Sequence, residues 1–403
     1  MKNREPTHRG WDEEGQVLVL FALFSFVVIG AMALALDVGY LLTERRDAQS
    51  AADAAALAAG VAVLKGETSS EAASAAIDYA AANGLTTFGD NPSTVGVDVT
   101  GDRREGRVEV NVTLPVQRFF LGAVYTGDWR VSARAVAEIH DDRRADYALI
   151  TLQPPGTKFN GNNRIEIHNG SAMTNDAVNA NSSISHEFIV DGAIDSAGDI
   201  HNPNGGWSAP GGMNKDLVPI DDPLAGVPAP PKPEVKEAPD CNSDCTWIPG
   251  RYMNGSENIR RTATFLPGLY YFENFDISFQ NTNSRIVGNG VMFYFDDSSE
   301  FDPKNGEMYI TAPSSSPYVG GKDGRVFWMA NCTEIESQGN ADYFFKGIFY
   351  APCTDLVFRG TPDTPVNNGQ MVVGSVEMKG TGWIEIEYNG YLDTRRFEVF
   401  LVE

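Results

Sequence analysis

The sequence predicts a mainly β protein: an N-terminal transmembrane helix and a small α/β unit, followed by a right-handed β-solenoid. Three observations lead there. Val17–Leu36, VLVLFALFSFVVIGAMALAL, is 20 residues without a formal charge, long enough to cross a hydrocarbon core as a helix. Beyond about Ala145, short alternating apolar pieces are separated by Gly, Asn, Asp and Ser, with no amphipathic helix of ordinary length among them. Within that region DLVFRG (Asp355–Gly360) and SVEMKG (Ser375–Gly380) share their alternation and final glycine 20 residues apart, a separation that suits one solenoid coil.

The chain divides into a cytoplasmic tail (1–16), the transmembrane helix (17–42), an alanine-rich helical extension (43–66), a membrane-proximal α/β unit (67–140) and the solenoid (145–403), which carries a proline-rich excursion at 202–240. The 403 residues bear a formal charge of -23, which argues against nucleic acid as a partner because phosphates are repelled.

The apolar run continues into DVGYLL without the break and small-residue cleavage site of a secretory signal, so it reads as a retained anchor. Lys2, Arg4 and Arg9 precede the span and Arg45 and Arg46 follow it, a near tie that leaves orientation to other arguments. The short N-terminal tail and the large cysteine-bearing remainder favour the C-terminal part outside. Asp37 falls at the far interface, where a carboxylate reaches headgroups or water; a buried functional aspartate is the alternative. Small residues recur every fourth position at Ala31, Ala35 and Gly39, then Ala48, Ala52, Ala56 and Gly60, with a second row at Ala51, Ala55 and Ala59. Such rows let another helix approach closely; the alternative is a rigid stalk built from the best helix former.

Residues Gly15–Gly60 resemble the N-terminal segment of the Tad (tight adherence) pilus-assembly proteins, of the TadG-like type. The resemblance rests on the apolar span, LDVG at its end, TERRDAQ and AADAAALAAG. It implies a single-pass protein of the bacterial inner membrane, with its C-terminal region extracytoplasmic, associated with Flp-type pilus assembly or related surface-adhesion machinery and with other membrane proteins of that machinery. A processed prepilin usually carries Glu five residues after the cleavage glycine; five residues after Gly15 stands Leu20, so processing is not expected.

SSEAASAAIDYAAANG (Ser69–Gly84) reads as a second alanine-rich helix ended by Asn83-Gly84. TVGVDVT and RVEVNVTLPV read as a hairpin around GDRREG, QRFFLGAVYTG as a short amphipathic helix or turn, and DWRVSARAVAEI as a third strand. The order of FF and VSARAVA is again similar to Tad proteins.

In the solenoid, Leu356, Phe358, Val376 and Met378 are the inward candidates, and Gly360 and Gly380 would turn the corners; a β-sandwich with two similar strands is the alternative. PGLYYFENFDISFQNTNSRIVGNGVMFYF, GIFYAP and GQMVVGSVEMKGTGWIEIEY, in that order, resemble the β-helical C-terminal region of many TadG-like proteins. The prolines of 202–240 prevent regular helix and central strand, leaving an excursion over the solenoid surface or a protease-sensitive linker.

Cys241, Cys245, Cys332 and Cys353 all follow the span and would oxidise outside the cytoplasm. Three pairings exist; the favoured one closes a small loop with Cys241–Cys245 and ties neighbouring coils with Cys332–Cys353. A Cys₄ zinc site is disfavoured because the spacing is unlike a zinc ribbon. His168, His186 and His201 lie in one interval without metal-binding spacing. Asp191, Asp195, Asp199, Asp296 and Asp297 are the carboxylates a glycan-active solenoid would draw on, but in so acidic a chain they read as a solvated face, and no calcium loop is present. The expectation is a non-enzymatic surface protein without cofactor or metal, with membrane and pilus-assembly proteins as partners and a surface glycan as a further candidate. The alternative is a glycan-active enzyme or glycan-binding module.

Overall fold

The computed structural model describes residues 14–85, 92–103, 105–120, 122, 127–181, 186–202, 205–314, 324–339, 341–360, 363–366, 369–390, 392 and 394–402. The chain forms two compact units, Met1–Asp141 with Phe397–Glu403, and Asp142–Arg396.

The first unit begins with helix α1, Glu14–Leu64. Its apolar half is largely exposed from Val17 to Leu36, long and apolar enough to cross a membrane, and 51 unbroken helical residues carry it straight into the alanine-rich half. There Ala48, Ala51, Ala52, Ala55, Ala56 and Ala59 are all fully buried. They pack against helix α2 (Ser69–Ala82), whose own Ala72, Ala76 and Ala80 are fully buried, and against an antiparallel sheet. The two alanine rows thus form one face, and the side chains are small because a helix and a sheet of the same unit approach closely. Helix α2 is started by a capping box: Glu71 N–H donates to the Thr68 hydroxyl and Thr68 N–H donates to the Glu71 carboxylate at 2.8 Å.

The sheet runs β1 (Thr94–Gly101), β2 (Gly106–Pro115), β3 (Arg130–Ala145), then the C-terminal strand Thr394–Leu401. Val108, Val110 and Val112 alternate inward as the period-2 pattern requires. On the other face Arg134 grips Glu109 through two bonds of 2.9 and 2.8 Å. The sequence reading carried the solenoid through to residue 403. The last strand instead returns to this sheet, where Val402 N–H donates to Val136 O at 2.9 Å.

The second unit is a β-solenoid of about ten turns. One row of parallel strands, taken in stacking order, is Cys245–Trp247, Thr262–Phe265, Arg285–Asn289, Glu307–Thr311, the start of Asp342–Gly360, Asp363–Val366, Trp383–Glu387, Arg164–His168, Glu187–Val190 and Trp207–Ser208. The order is permuted relative to the chain. Residues 147–214 stack after 383–387, so the beginning and end of this unit lie on adjacent turns, where Met371 pairs with Leu149 and Ile384 pairs with Ile165. The 20-residue echo lies in register on adjacent turns: Leu356 pairs with Val376, Phe358 with Met378 and Gly360 with Gly380. All four predicted inward residues are buried in the core. Phenylalanine dominates its centre, with the rings of Phe272 and Phe295 stacked at 4.6 Å. Each such buried ring stabilises by about 1.5–3 kcal/mol.

The proline-rich segment crosses the whole stack from one end to the other. Leu217 N–H donates to Ser196 O, Ile220 and Asn175 exchange two bonds, Asp222 accepts from Tyr350, Lys232 pairs with Glu273, and residues 234–236 bond the backbone of Arg251. It covers an outer ladder formed by Tyr271, Tyr294, Trp328 and Tyr350, with Leu224 buried against them. Strands such as Gly268–Phe279 are therefore buried on both faces, which explains why LYYF is apolar without alternation.

Candidate functional site

Two places concentrate unusual chemistry. The first lies where α1 leaves its apolar run. Asp37 is 2 % exposed, although its neighbours Leu36 and Val38 are 60 % and 40 % exposed. Its carboxylate accepts the backbone N–H of Phe119 at 3.1 Å and that of Phe120 at 3.0 Å. The predicted contact of Asp37 with headgroups or water is thus replaced by two protein donors. The sequence reading missed this because the donors are backbone groups 82 and 83 residues away. The reading of 117–127 as a helix or turn falls partly on positions 121 and 123–126, which lie outside the described residues.

The second place is the outer face of the solenoid row containing Trp383–Glu387 and Arg164–His168. Alternate side chains point outward on neighbouring turns in register, so Glu385 stands beside Glu166 and Glu387 beside His168. Glu166, His168 and Glu385 hold one ligand atom each within 4.8 Å of one another. Two carboxylates and an imidazole are a donor set for a borderline divalent cation. A guanidinium already pairs with it, however. Arg164 bonds Glu166 and reaches Glu187 at 3.3 Å, and its guanidinium lies 5.8 Å over the Trp383 ring. The imidazole of His168 lies 3.4 Å from Glu385 and 3.7 Å from Asp191. The network is a charge ladder that holds three turns together.

Residues 15–62 match a model of the Tad family, described as Flp pilus-assembly TadE/G-like. The similarity lies in the N-terminal helix alone. No curated protein matches the chain, and no solved structure does. The TadE/G-like match spans the apolar run, Asp37 and the buried alanine face, and it ends within α1, before α2 and the sheet begin.

Within the matched residues 15–62 the small residues fall into two groups. Ala48, Ala52 and Ala56 are buried inside their own unit, whereas Ala31, Ala35 and Gly39 are exposed. Only the second group remains available to a partner helix.

The cysteines form the disulfides Cys241–Cys245 and Cys332–Cys353. The first closes a loop that leads into the first turn, and the second ties two adjacent turns. The aspartates singled out from the sequence are dispersed. Asp191 accepts Asn169 N–H at 3.0 Å. Asp195 is buried and accepts from the Tyr147 hydroxyl at 2.6 Å and from Asn214 at 2.8 Å. Asp199 pairs with Lys215, which holds its carboxyl below the usual range. Asp296 ties a corner by accepting from Asn274, Ser298 and Ser299, and Asp297 accepts from Ser298. His186 is buried among the rings of Phe159 and Trp207 with neither nitrogen hydrogen-bonded among the described residues. Burial pushes its pKa down. His201 lies on the strand that follows Asp199.

Proposed function

We propose that this chain is a membrane-anchored, non-enzymatic component of Flp-type pilus assembly or a related surface-adhesion machinery. Residues 17–36 form its single span of the inner membrane, and the solenoid is displayed on the extracytoplasmic side. The observation that carries the reading is the continuity of α1: the TadE/G-like match, the apolar run and the buried alanine face lie on one uninterrupted helix. Two disulfides and no free cysteine fit an oxidising compartment. The solenoid then acts through its surface, with partner contacts in the membrane made by the exposed row Ala31, Ala35 and Gly39.

Crosslinking in native membranes tests this, with a photoreactive side chain placed at Ala35. The expected result is a discrete adduct with another membrane-spanning protein. Absence of any adduct, or a tag after Glu403 reached only from the cytosol, overturns the reading.

A second reading, a glycan-active solenoid, rests on Glu166 and Glu385, whose carboxylates lie within 4.8 Å on neighbouring turns beside His168. Retaining glycosidases likewise use a close pair of carboxyl groups, ~5–5.5 Å apart. Turnover of uronate-containing or neutral polysaccharides by the full chain, abolished by Glu385→Gln, would establish it in place of the structural role.

A further inference from the structure

We propose that the loop bearing Phe119 and Phe120 is a second membrane contact, seated in the interfacial layer of the same bilayer that residues 17–36 cross, and that Asp37 is the positioning residue that fixes its depth. The inference rests on the reading of 17–36 as the span.

Phe119 and Phe120 are 60 % and 50 % exposed, an adjacent pair of exposed aromatic rings held at the end of the apolar run. Their position along α1 says what covers them. Twenty helical residues rise about 30 Å, the thickness of a bilayer's hydrocarbon core, so a helix that enters at Val17 leaves at Asp37. The loop is fastened at that level by two backbone N–H groups on one carboxylate. The Phe119 ring also meets Tyr40, one turn further along α1, edge-on at 5.2 Å. Aromatic side chains are enriched at this boundary, where rings replace water with the edge of the acyl layer. Arg118 precedes the pair and donates to Gly127 O, so a cation lies next to the rings in sequence.

The carboxylate is explained by the same geometry. Backbone donors brought to the edge of a bilayer lose water and must find an acceptor. A buried carboxylate needs donors in turn, because an ionised group is costly to bury without them. Each satisfies the other, and the loop is held at one depth rather than left to float. A headgroup-facing aspartate would leave the loop untethered.

The test uses the full chain in vesicles of phosphatidylethanolamine and phosphatidylglycerol whose acyl chains carry bromine. The four native cysteines are paired, so one added cysteine takes a fluorophore selectively. It is placed by Leu23→Cys in the span, by Phe119→Cys in the loop, and by Thr100→Cys on an exposed strand as the control. The expected result is quenching at Phe119 of at least about half that at Leu23, and little at Thr100. Adding Asp37→Ala should lower quenching at Phe119 at least about twofold while leaving Leu23 unchanged, and Asp37→Asn, which keeps one acceptor oxygen, should lower it less. Quenching at Phe119 no greater than at Thr100, with Leu23 still quenched, overturns the second contact and leaves the span standing. No quenching at Leu23 overturns both. Quenching at Phe119 that is indifferent to Asp37→Ala overturns the positioning role.

Discussion

The Tyr350 hydroxyl donates to the Asp222 carboxylate at 2.6 Å across 128 residues of chain. That bond pins the proline-rich segment onto the outer ladder near the middle of the stack, and Leu224 buries itself beside it. Tyr350→Phe should cost about 1.5–3 kcal/mol, the worth of a hydrogen bond to a charged acceptor. Leu224→Ala should cost about 2–4 kcal/mol, because its pocket is lined by the barrel of the solenoid and cannot collapse. Limited proteolysis checks both: cleavage within 215–240 should speed up in each variant, with the two solenoid halves remaining associated after the cut. A wild-type rate in the Leu224 variant would mean that the strap is held elsewhere.

Cys332–Cys353 closes a 21-residue separation between adjacent turns. Replacing both by alanine should lower stability by about 2–4 kcal/mol. Denaturant titration of the oxidised and reduced wild type should show the same difference, since Cys241–Cys245 spans only 4 positions and constrains the unfolded chain far less.

Gly380 has φ +121, and a Cβ there would lie 2.5 Å from the carbonyl oxygen of Gly360 on the preceding turn. Gly161 on the next turn faces Gly380 O in the same way, at 2.1 Å. The corner is a column of backbones in contact. Gly380→Ala should therefore destabilise by several kcal/mol, on the order of 2–4, through strain and a forced separation of turns. Hydrogen exchange checks it: protection should fall on the turns either side, 355–360 and 157–159, ahead of the rest of the stack.

His186 gives the solenoid a pH dependence of defined sign. Burial among Phe159 and Trp207 holds its pKa below the usual histidine value of ~6.5, so the unfolded chain takes up the proton first. Its neutral form contributes no penalty above that value, and stability is lost as pH falls below it toward the depressed folded value. Thermal unfolding of the wild type should thus weaken between about pH 7 and 5 more than that of His186→Leu, which has no proton to gain. Parallel pH profiles for the two would show that the imidazole is not the group responsible.

The legible parts of this protein are those written in short-range periodicity. Alternation and the recurring glycine of DLVFRG and SVEMKG announced adjacent turns, because a strand's side chains alternate by covalent geometry and a coil of fixed length returns each position above its predecessor. The apolar helix was legible from 20 uncharged residues, and the favoured cysteine pairing from spacing. Asp37 was not, because its partners are main-chain donors that carry no side-chain signature. Glu166 and Glu385 were not, because registry between turns is set by a closure that joins residues 164–168 to 383–387.

The sequence by itself determined the elements: an apolar helix running into an alanine-rich one, a small sheet, and strands with one inward face. Only the tertiary structure decided their order in space. The turn at 383–387 leaves an edge that the strand at 164–168 completes, the strap covers an apolar ladder that would otherwise face water, and the last strand fills the open edge of the sheet beside β3. Each is the pairing of one unsatisfied backbone edge or bare apolar face with another far along the chain, and such long-range matches depend on which edges remain open once the local elements have formed.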